Sequence, residues 1–128
     1  MHQPPPPTDA QTRLAKRWFL LAWATVALCK CVLAARLPLF VDEAFYWQEG
    51  RHPAWAYSDL PGLTAWLARI GVELGGHTLL GLRWPFLVIA ACLPWQVVAI
   101  AKREGAALGL APAHAWIAGT LATLLPLL

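Results

Sequence analysis

The sequence predicts an all-α integral membrane protein, and three observations lead to this fold class. Of its 128 residues, 59% are hydrophobic and 13% are charged, and the mean hydropathy is +0.51. Soluble domains carry about 25% charged residues and about 45–50% apolar ones. Its eight tryptophans fit the same class, because indole rings favour the headgroup level of a bilayer. The hydrophobic residues also fall in long runs separated by mixed, polar stretches.

The charge pattern argues against a nucleic-acid-binding protein, and the cysteine pattern argues against a metal site formed by cysteines. The net charge of +3 is modest and is spread along the chain, so no basic stripe indicates a nucleic-acid partner. The cysteines lie in apolar stretches and lack metal-ligand partners at useful spacing. We expect them to be lipid-facing or packing residues: Cys29, Cys31 and Cys92.

The N-terminal part predicts a tail followed by a first membrane span. Residues 1–12 are polar and proline-rich, which predicts a disordered cytoplasmic tail before a membrane domain over 13–128. The first span is predicted over about 18–36, where an apolar run is interrupted only by Lys30. A cleavable signal peptide is the alternative for these residues, because it also places basic residues before an apolar core. The basic residues are Arg13, Lys16 and Arg17.

The stretch of about 37–78 is too polar to cross a membrane and predicts an outer loop of two interfacial helices. Asp42 is expected to be the N-cap of the first helix, which ends near Gly50. Asp59 is expected to cap the second helix, whose apolar residues recur on one stripe. Beside a membrane, a helix with such a stripe lies flat in the interface. The stripe consists of Leu63, Trp66, Leu67, Ile70 and Leu74.

Two further apolar stretches predict a second span at about 79–101 and a third at about 108–128. We expect a kinked entry at Pro85 and an end at the charged residues 102–104. Lys and Arg are denser before the first span and after the second than in the loop. The positive-inside rule therefore predicts a multi-pass protein of the cytoplasmic membrane, with a cytoplasmic N-terminus and an extracytoplasmic loop.

Several loop residues allow both a chemical and a structural interpretation. Asp42 and Glu43 could act as a general base or bind a divalent ion, or they could only cap a helix and complement its dipole. Their side chains diverge by about 100° on a helix, so we expect different roles for them. Arg83 could bind a lipid phosphate or only anchor the chain among headgroups. Aromatic residues such as Tyr57 and Trp66 fit either an interfacial belt or a sugar-binding surface.

Four linked segments carry a resemblance to a known family. The run LPLFVDEAFYW at 37–47 resembles the start of the first extracytoplasmic loop in glycosyltransferase family 39, which includes protein O-mannosyltransferases and lipid A aminoarabinose transferases. The family's Y-x-D-H-P-P-L, A-W-L and G-V-R-x-P motifs are similar to the segments at 57–63, 65–67 and 81–85. The order and spacing agree over about 14–128. The family's histidine and second proline are replaced here by Leu60 and Gly62.

The resemblance implies a GT-C-like membrane fold with about three spans in this N-terminal part. It implies transfer of a sugar, with inversion, from a polyprenyl-phosphate donor to a glycan, lipid or protein acceptor on the extracytoplasmic side. It assigns catalysis to Asp42, supported by Glu43. The implied substrate-binding residues are Tyr57, Asp59, Trp66 and Arg83. No organic cofactor is implied, while a divalent metal near Asp59 is left open.

Family members are much longer than this chain. We therefore expect residues 1–128 to be the N-terminal portion of such an enzyme and not to catalyse transfer alone. The alternatives are a small non-enzymatic membrane protein that binds a lipid carrier or a partner, and an inactive truncated fragment.

Overall fold

A computed structural model describes residues 9–57 and 61–125, and within those ranges the chain forms helices and no strand. A single backbone bridge pairs Ala56 with Pro61. The all-α prediction is therefore confirmed for the described residues. The helices are α1 (Asp9–Arg36), α2 (Val41–Gly50), α3 (Gly62–Gly75), α4 (Leu79–Ala107) and α5 (Ala113–Leu124).

Two helices are long and apolar enough to cross a membrane, namely α1 with 28 residues and α4 with 29. Only 11% and 17% of their most apolar windows are buried inside the protein, whereas the core helix of a soluble domain is mostly buried. The three cysteines on these helices are also exposed and unpaired. Within the described residues, α1 and α4 thus combine membrane-spanning length with an exposed apolar surface.

The first helix begins earlier than the sequence predicted. Residues 9–12 were expected in a disordered tail, but α1 starts at Asp9 and continues without a break into the apolar run. An acidic residue in the first turn interacts favourably with the positive end of the helix dipole. The rest of the predicted tail lies outside the described residues.

The second membrane-length helix ends later than predicted. It continues through Pro85 and past the charged residues 102–104 to Ala107. Gly109 has φ +67, and the N–H of Leu110 donates to the carbonyl of Gly105 at 2.7 Å. This is a Schellman ending, which requires a left-handed residue that glycine adopts without a Cβ penalty.

The third predicted span, 108–128, is only partly helical in the described residues. Helix α5 covers Ala113–Leu124, and its 12 residues extend about 18 Å at 1.5 Å per residue. That is shorter than the roughly 30 Å of a bilayer's hydrocarbon core. Pro112 precedes the helix as its N-cap residue. Two described helices, not three, thus reach membrane length.

The chain divides into two compact units, Met1–Leu28 with Ala90–Leu128 (unit 1) and Cys29–Ile89 (unit 2). Unit 1 has an aromatic core in which the Phe19 and Trp95 rings meet edge-on at 4.9 Å. Gly119 allows α5 to approach α4 closely, because a Cβ on Gly119 would overlap Val98 Cγ2. The buried cluster consists of Phe19, Val98, Ala115 and Trp116.

Unit 2 is packed through small residues. A Cβ on Gly50 of α2 would lie 2.6 Å from the carbonyl oxygen of Ala65 on α3. A Cβ on Gly71 would lie equally close to the Gly81 carbonyl oxygen. The buried positions of α3 are Gly62, Ala65, Ala68 and Gly71. The larger residues of the predicted stripe lie mostly on the other side, where Leu63, Ile70 and Leu74 are exposed.

Candidate functional site

The centre of unit 2 is Arg83, a charged side chain that is only 8% exposed. Its Nε donates to Oε1 of Glu43 at 2.7 Å, and its Nη2 donates to Oε2 of the same carboxylate at 2.6 Å. The remaining N–H groups donate to backbone carbonyls. These are Nη1 to Ala34 (2.7 Å) and Leu37 (2.9 Å), and Nη2 to Pro38 (2.9 Å).

This arrangement, called here the Arg83 clamp, uses all five N–H donors of the guanidinium. The last carbonyls of a helix have no partner within it, and α1 ends at Arg36. A cation at this end is also favoured by the helix dipole. The clamp therefore joins the end of α1, the start of α2 and the start of α4 within unit 2. The predicted contact between Arg83 and a lipid phosphate would require one of these bonds to be released.

Glu43 is held by both α2 and Arg83. Its Oε2 accepts the backbone N–H of Phe40 at 3.0 Å, so the third residue of the helix caps its N-terminus. Phe40, not Asp42, occupies the N-cap position, which corrects the prediction. The hydrogen bonds from Arg83 lower the pKa of the Glu43 carboxyl below its usual value; burial opposes this shift, and the Phe40 N–H adds to it. Glu43 is therefore an ionised structural anchor at neutral pH.

Asp42 has a different environment from its neighbour. It occupies the second position of α2 and is exposed. Adjacent residues on a helix point about 100° apart, so Asp42 diverges from the clamp, as predicted. Among the described residues, no hydrogen bond or ion pair engages its carboxylate. Asp42 is thus the carboxylate of the pair that is available to a ligand.

Tyr57 and Trp66 both form hydrogen bonds with the backbone of the turn between α2 and α3. The Tyr57 hydroxyl donates to the His52 carbonyl at 2.9 Å and accepts the Ala54 N–H at 3.1 Å. The Trp66 Nε1 donates to the Ala54 carbonyl at 2.9 Å. Both polar atoms therefore hold the turn. The Trp55 ring, which is 89% exposed, meets the Trp66 ring edge-on at 5.3 Å.

Asp59 lies outside the described residues, so its predicted contacts with substrate or metal remain predictions. The N-cap residue of α3 is Pro61. Over 9–57 and 61–125, no group of three or more His, Cys, Asp or Glu side chains is arranged to hold a metal.

Sequence reasoning missed a groove on the α2–α3 pair. Its volume is about 500 Å³. Arg69 donates to Glu73 at 2.7 Å, and the Arg51 guanidinium lies 5.5 Å from the centre of the Trp47 ring. The i,i+4 spacing of Arg69 and Glu73 in the sequence could have predicted this ion pair at the groove. The lining residues are Trp47, Gly50, Arg51, Arg69, Val72, Glu73 and His77.

The structure thus brings Glu43 and Arg83 together in the clamp, and Tyr57 and Trp66 together at the turn. Asp42 stands beside the clamp and outside its hydrogen bonds. Comparison of the chain with protein-family models, curated proteins and solved structures gives no significant match.

Proposed function

We propose that this chain supplies the outer-loop acidic site of a membrane glycosyltransferase that uses a polyprenyl-phosphate sugar donor. The observation that carries the proposal is the difference between the environments of the two adjacent carboxylates, Asp42 and Glu43. The Glu43 carboxylate accepts two hydrogen bonds from Arg83, while Asp42 is exposed on the same helical turn. A general base must be held within hydrogen-bond reach of the proton that it accepts, and a carboxylate on a rigidly held helix can satisfy this requirement.

In the proposed reaction, the Asp42 carboxylate accepts the proton of an acceptor hydroxyl group. The hydroxyl oxygen forms a bond to the anomeric carbon from the side opposite the phosphate, and the bond between that carbon and the phosphate oxygen breaks. The polyprenyl phosphate leaves with the bonding electron pair, and the configuration inverts. Glu43 acts as a positioning residue, because its hydrogen-bonded carboxylate is a weak base.

Other parts of the proposal rest on the resemblance of the motifs. They include a GT-C-like fold, a third span over 108–128, a cytoplasmic N-terminus, and a substrate surface that contains Asp59, Tyr57 and Trp66. In the same scheme, a divalent metal would bind near Asp59. In this scheme Arg83 organises the surface through the clamp, and its direct contact with the donor phosphate stays a prediction.

A second candidate function is the binding of a lipid carrier without catalysis. It is favoured by the exposed apolar residues of α3, of which Leu74 is 75% exposed and Leu63 is 63% exposed. A helix with this surface partitions into the headgroup region of a membrane. This candidate requires no chemistry at Asp42.

Sugar transfer in isolated membranes tests the proposal. Membranes from cells that express the full-length protein that contains residues 1–128 are incubated with polyprenyl phosphates that carry radiolabelled mannose or aminoarabinose. We expect label to leave one of these donors, and Asp42→Asn to slow that transfer by about 100-fold or more. Glu49→Gln removes a carboxylate from the same helix and is the matched control, which should retain activity.

Retained transfer in Asp42→Asn would remove the catalytic assignment. Absence of transfer from both donors, together with saturable binding of polyprenyl phosphate, would instead establish the second candidate. Immunodetection of equal amounts of each variant in the membrane fraction excludes a defect in insertion.

A further inference from the structure

The groove on α2 and α3, within unit 2, has an arginine from each of the two helices in its lining. Gly50 of α2 packs on Arg69 of α3, since a Cβ on Gly50 would lie 3.3 Å from the Cβ of Arg69. Arg51 follows Gly50 directly, and both arginines line the groove. Its volume of about 500 Å³ falls within the range of small-molecule sites, about 300–1,000 Å³. The close approach of the two backbones thus places two cationic side chains at one groove of ligand size.

Both guanidinium groups keep N–H donors that no described residue uses. Arg69 donates one hydrogen bond, from Nε to Glu73, and its other N–H groups form none within the described residues. Arg51 lies over the Trp47 ring, with its Cζ 5.5 Å from the ring centre, and forms no salt bridge with a described residue. A cation–π contact restrains a guanidinium without using its N–H donors. Both arginines can therefore donate hydrogen bonds to an anion in the groove.

The charge of the lining indicates which anion fits. Arg51 and Arg69 contribute two positive charges and Glu73 contributes one negative charge, so the net charge is +1 when His77 is counted as neutral. A single carboxylate neutralises this excess, and its two oxygens match the planar fork of arginine. A phosphate monoester carries about −1.5 to −2 charges at neutral pH, and the part that exceeds the arginines' net charge would be repelled by Glu73. The groove therefore favours a carboxylate.

The other lining residues fit a ring that carries hydroxyl groups. Trp47, which is 36% exposed, and Val72 contribute apolar surface. The C–H groups on one face of a sugar ring pack on such an aromatic surface. Glu73 uses only Oε1 in its bond with Arg69, so Oε2 is an acceptor for a hydroxyl group. His77 adds a ring nitrogen that donates or accepts.

We propose that the α2–α3 groove binds a sugar acid, that is, a monosaccharide unit with one carboxylate. The carboxylate is bound by Arg51 and Arg69, the ring packs on Trp47, and a ring hydroxyl donates to Glu73. A neutral sugar would leave the arginines without a counter-ion, and an acidic peptide would leave Glu73 without hydroxyl donors. The inference goes beyond the proposed function, because it requires neither a polyprenyl-phosphate donor nor chemistry at Asp42.

Titration of small sugars against the purified full-length protein in detergent micelles tests this inference. Methyl glucuronide and methyl galacturonide are compared with the neutral methyl glucoside, and saturation-transfer difference NMR measures binding at pH 7. At least one uronide should bind saturably, and the glucoside should bind at least about tenfold more weakly, because it lacks the carboxylate. An acetylated glutamate amide has a carboxylate but no sugar ring, and it should also bind at least about tenfold more weakly.

Two double variants locate the site. Replacing both groove arginines with glutamine (R51Q/R69Q) should weaken uronide binding by about tenfold or more. The matched control K30Q/R36Q removes two positive charges from unit 2 outside the groove, and it should change the affinity less than about twofold. Far-UV circular dichroism verifies that both variants are folded.

Four outcomes would each overturn the proposal. They are no saturable binding of either uronide, equal binding of the glucoside, equal binding of the glutamate derivative, and equal losses in the two double variants. The comparison of ligands uses the unmodified protein, so it decides the requirements for a carboxylate and a sugar ring independently of how the variants fold.

Discussion

Glu43 and Arg83, forty residues apart in the chain, form a two-point ion pair in which Nε–Oε1 is 2.7 Å and Nη2–Oε2 is 2.6 Å. Bidentate contacts of this kind fix orientation as well as distance. The pair holds the first turn of α2 against the first turns of α4. The orientation of α2, and with it the position of Asp42, thus depends on Arg83.

Removing Arg83 should destabilise unit 2 more than neutralising Glu43. Arg83→Met leaves a carboxylate and three carbonyls without their donor, and we expect a loss of about 2–4 kcal/mol in the free energy of unfolding. Glu43→Gln keeps an acceptor and should cost about 1–2 kcal/mol. Unfolding by sodium dodecyl sulfate, followed by circular dichroism, measures both. The double variant should lose less than the sum of the single losses; strict additivity would mean that the pair is not coupled.

The clamp also predicts how stability depends on pH. The pKa of Glu43 is lowered from 4.5 by its hydrogen bonds with Arg83, so the folded state releases this proton more readily than the unfolded state. Its stabilising contribution is complete above the unfolded pKa and is lost as the pH falls through the folded pKa. We expect stability attributable to Glu43 to be constant from pH 7 to about 5 and to decline below about 4.5. Glu43→Gln should show a shallower acid decline, and parallel curves for the two proteins would contradict the assignment.

Gly119 should tolerate no side chain. A Cβ there would overlap Val98 Cγ2 and lie 2.9 Å from Phe19 Cε2, so Gly119→Ala should destabilise unit 1 by about 1–3 kcal/mol. Gly105→Ala is the matched control, because its Cβ would meet Leu110 Cβ at an ordinary 3.6 Å. Alanine has a higher helix propensity than glycine, so the control should be neutral or more stable. Thermal unfolding of both variants tests the difference, and equal effects would contradict close packing at Gly119.

The exposed face of α3 should contact lipid. Spin labels attached through Leu63→Cys and Leu74→Cys, in a background with the native cysteines replaced by serine, should be accessible to oxygen in liposomes. A label attached through Glu73→Cys should instead be accessible to a water-soluble nickel chelate, because Glu73 forms a surface ion pair with Arg69. Greater nickel accessibility at the two leucine positions would exclude an interfacial position for this helix.

The sequence determined the features that depend on local pattern. Long apolar runs predicted α1 and α4, and helical spacing predicted α3 and its apolar stripe. Turn chemistry is equally local, and Gly50 correctly predicted the end of α2. The observed helices extend beyond the predicted segments, to Asp9 before the first and to Ala107 after the second, because apolar composition does not mark where a helix begins or ends.

Tertiary structure decided the roles of the charged residues. Asp42 and Glu43 were both suitable for capping or catalysis, and only the approach of Arg83 distinguishes them, by occupying Glu43. Likewise, only tertiary packing brings Arg51 and Arg69 to one groove. A charged side chain acquires its role from partners distant in sequence, because Coulomb and hydrogen-bond energies depend on spatial separation. The hydrophobic periodicity of a helix, in contrast, depends only on the order of residues along the chain, so it can be recognised in the sequence without the tertiary structure.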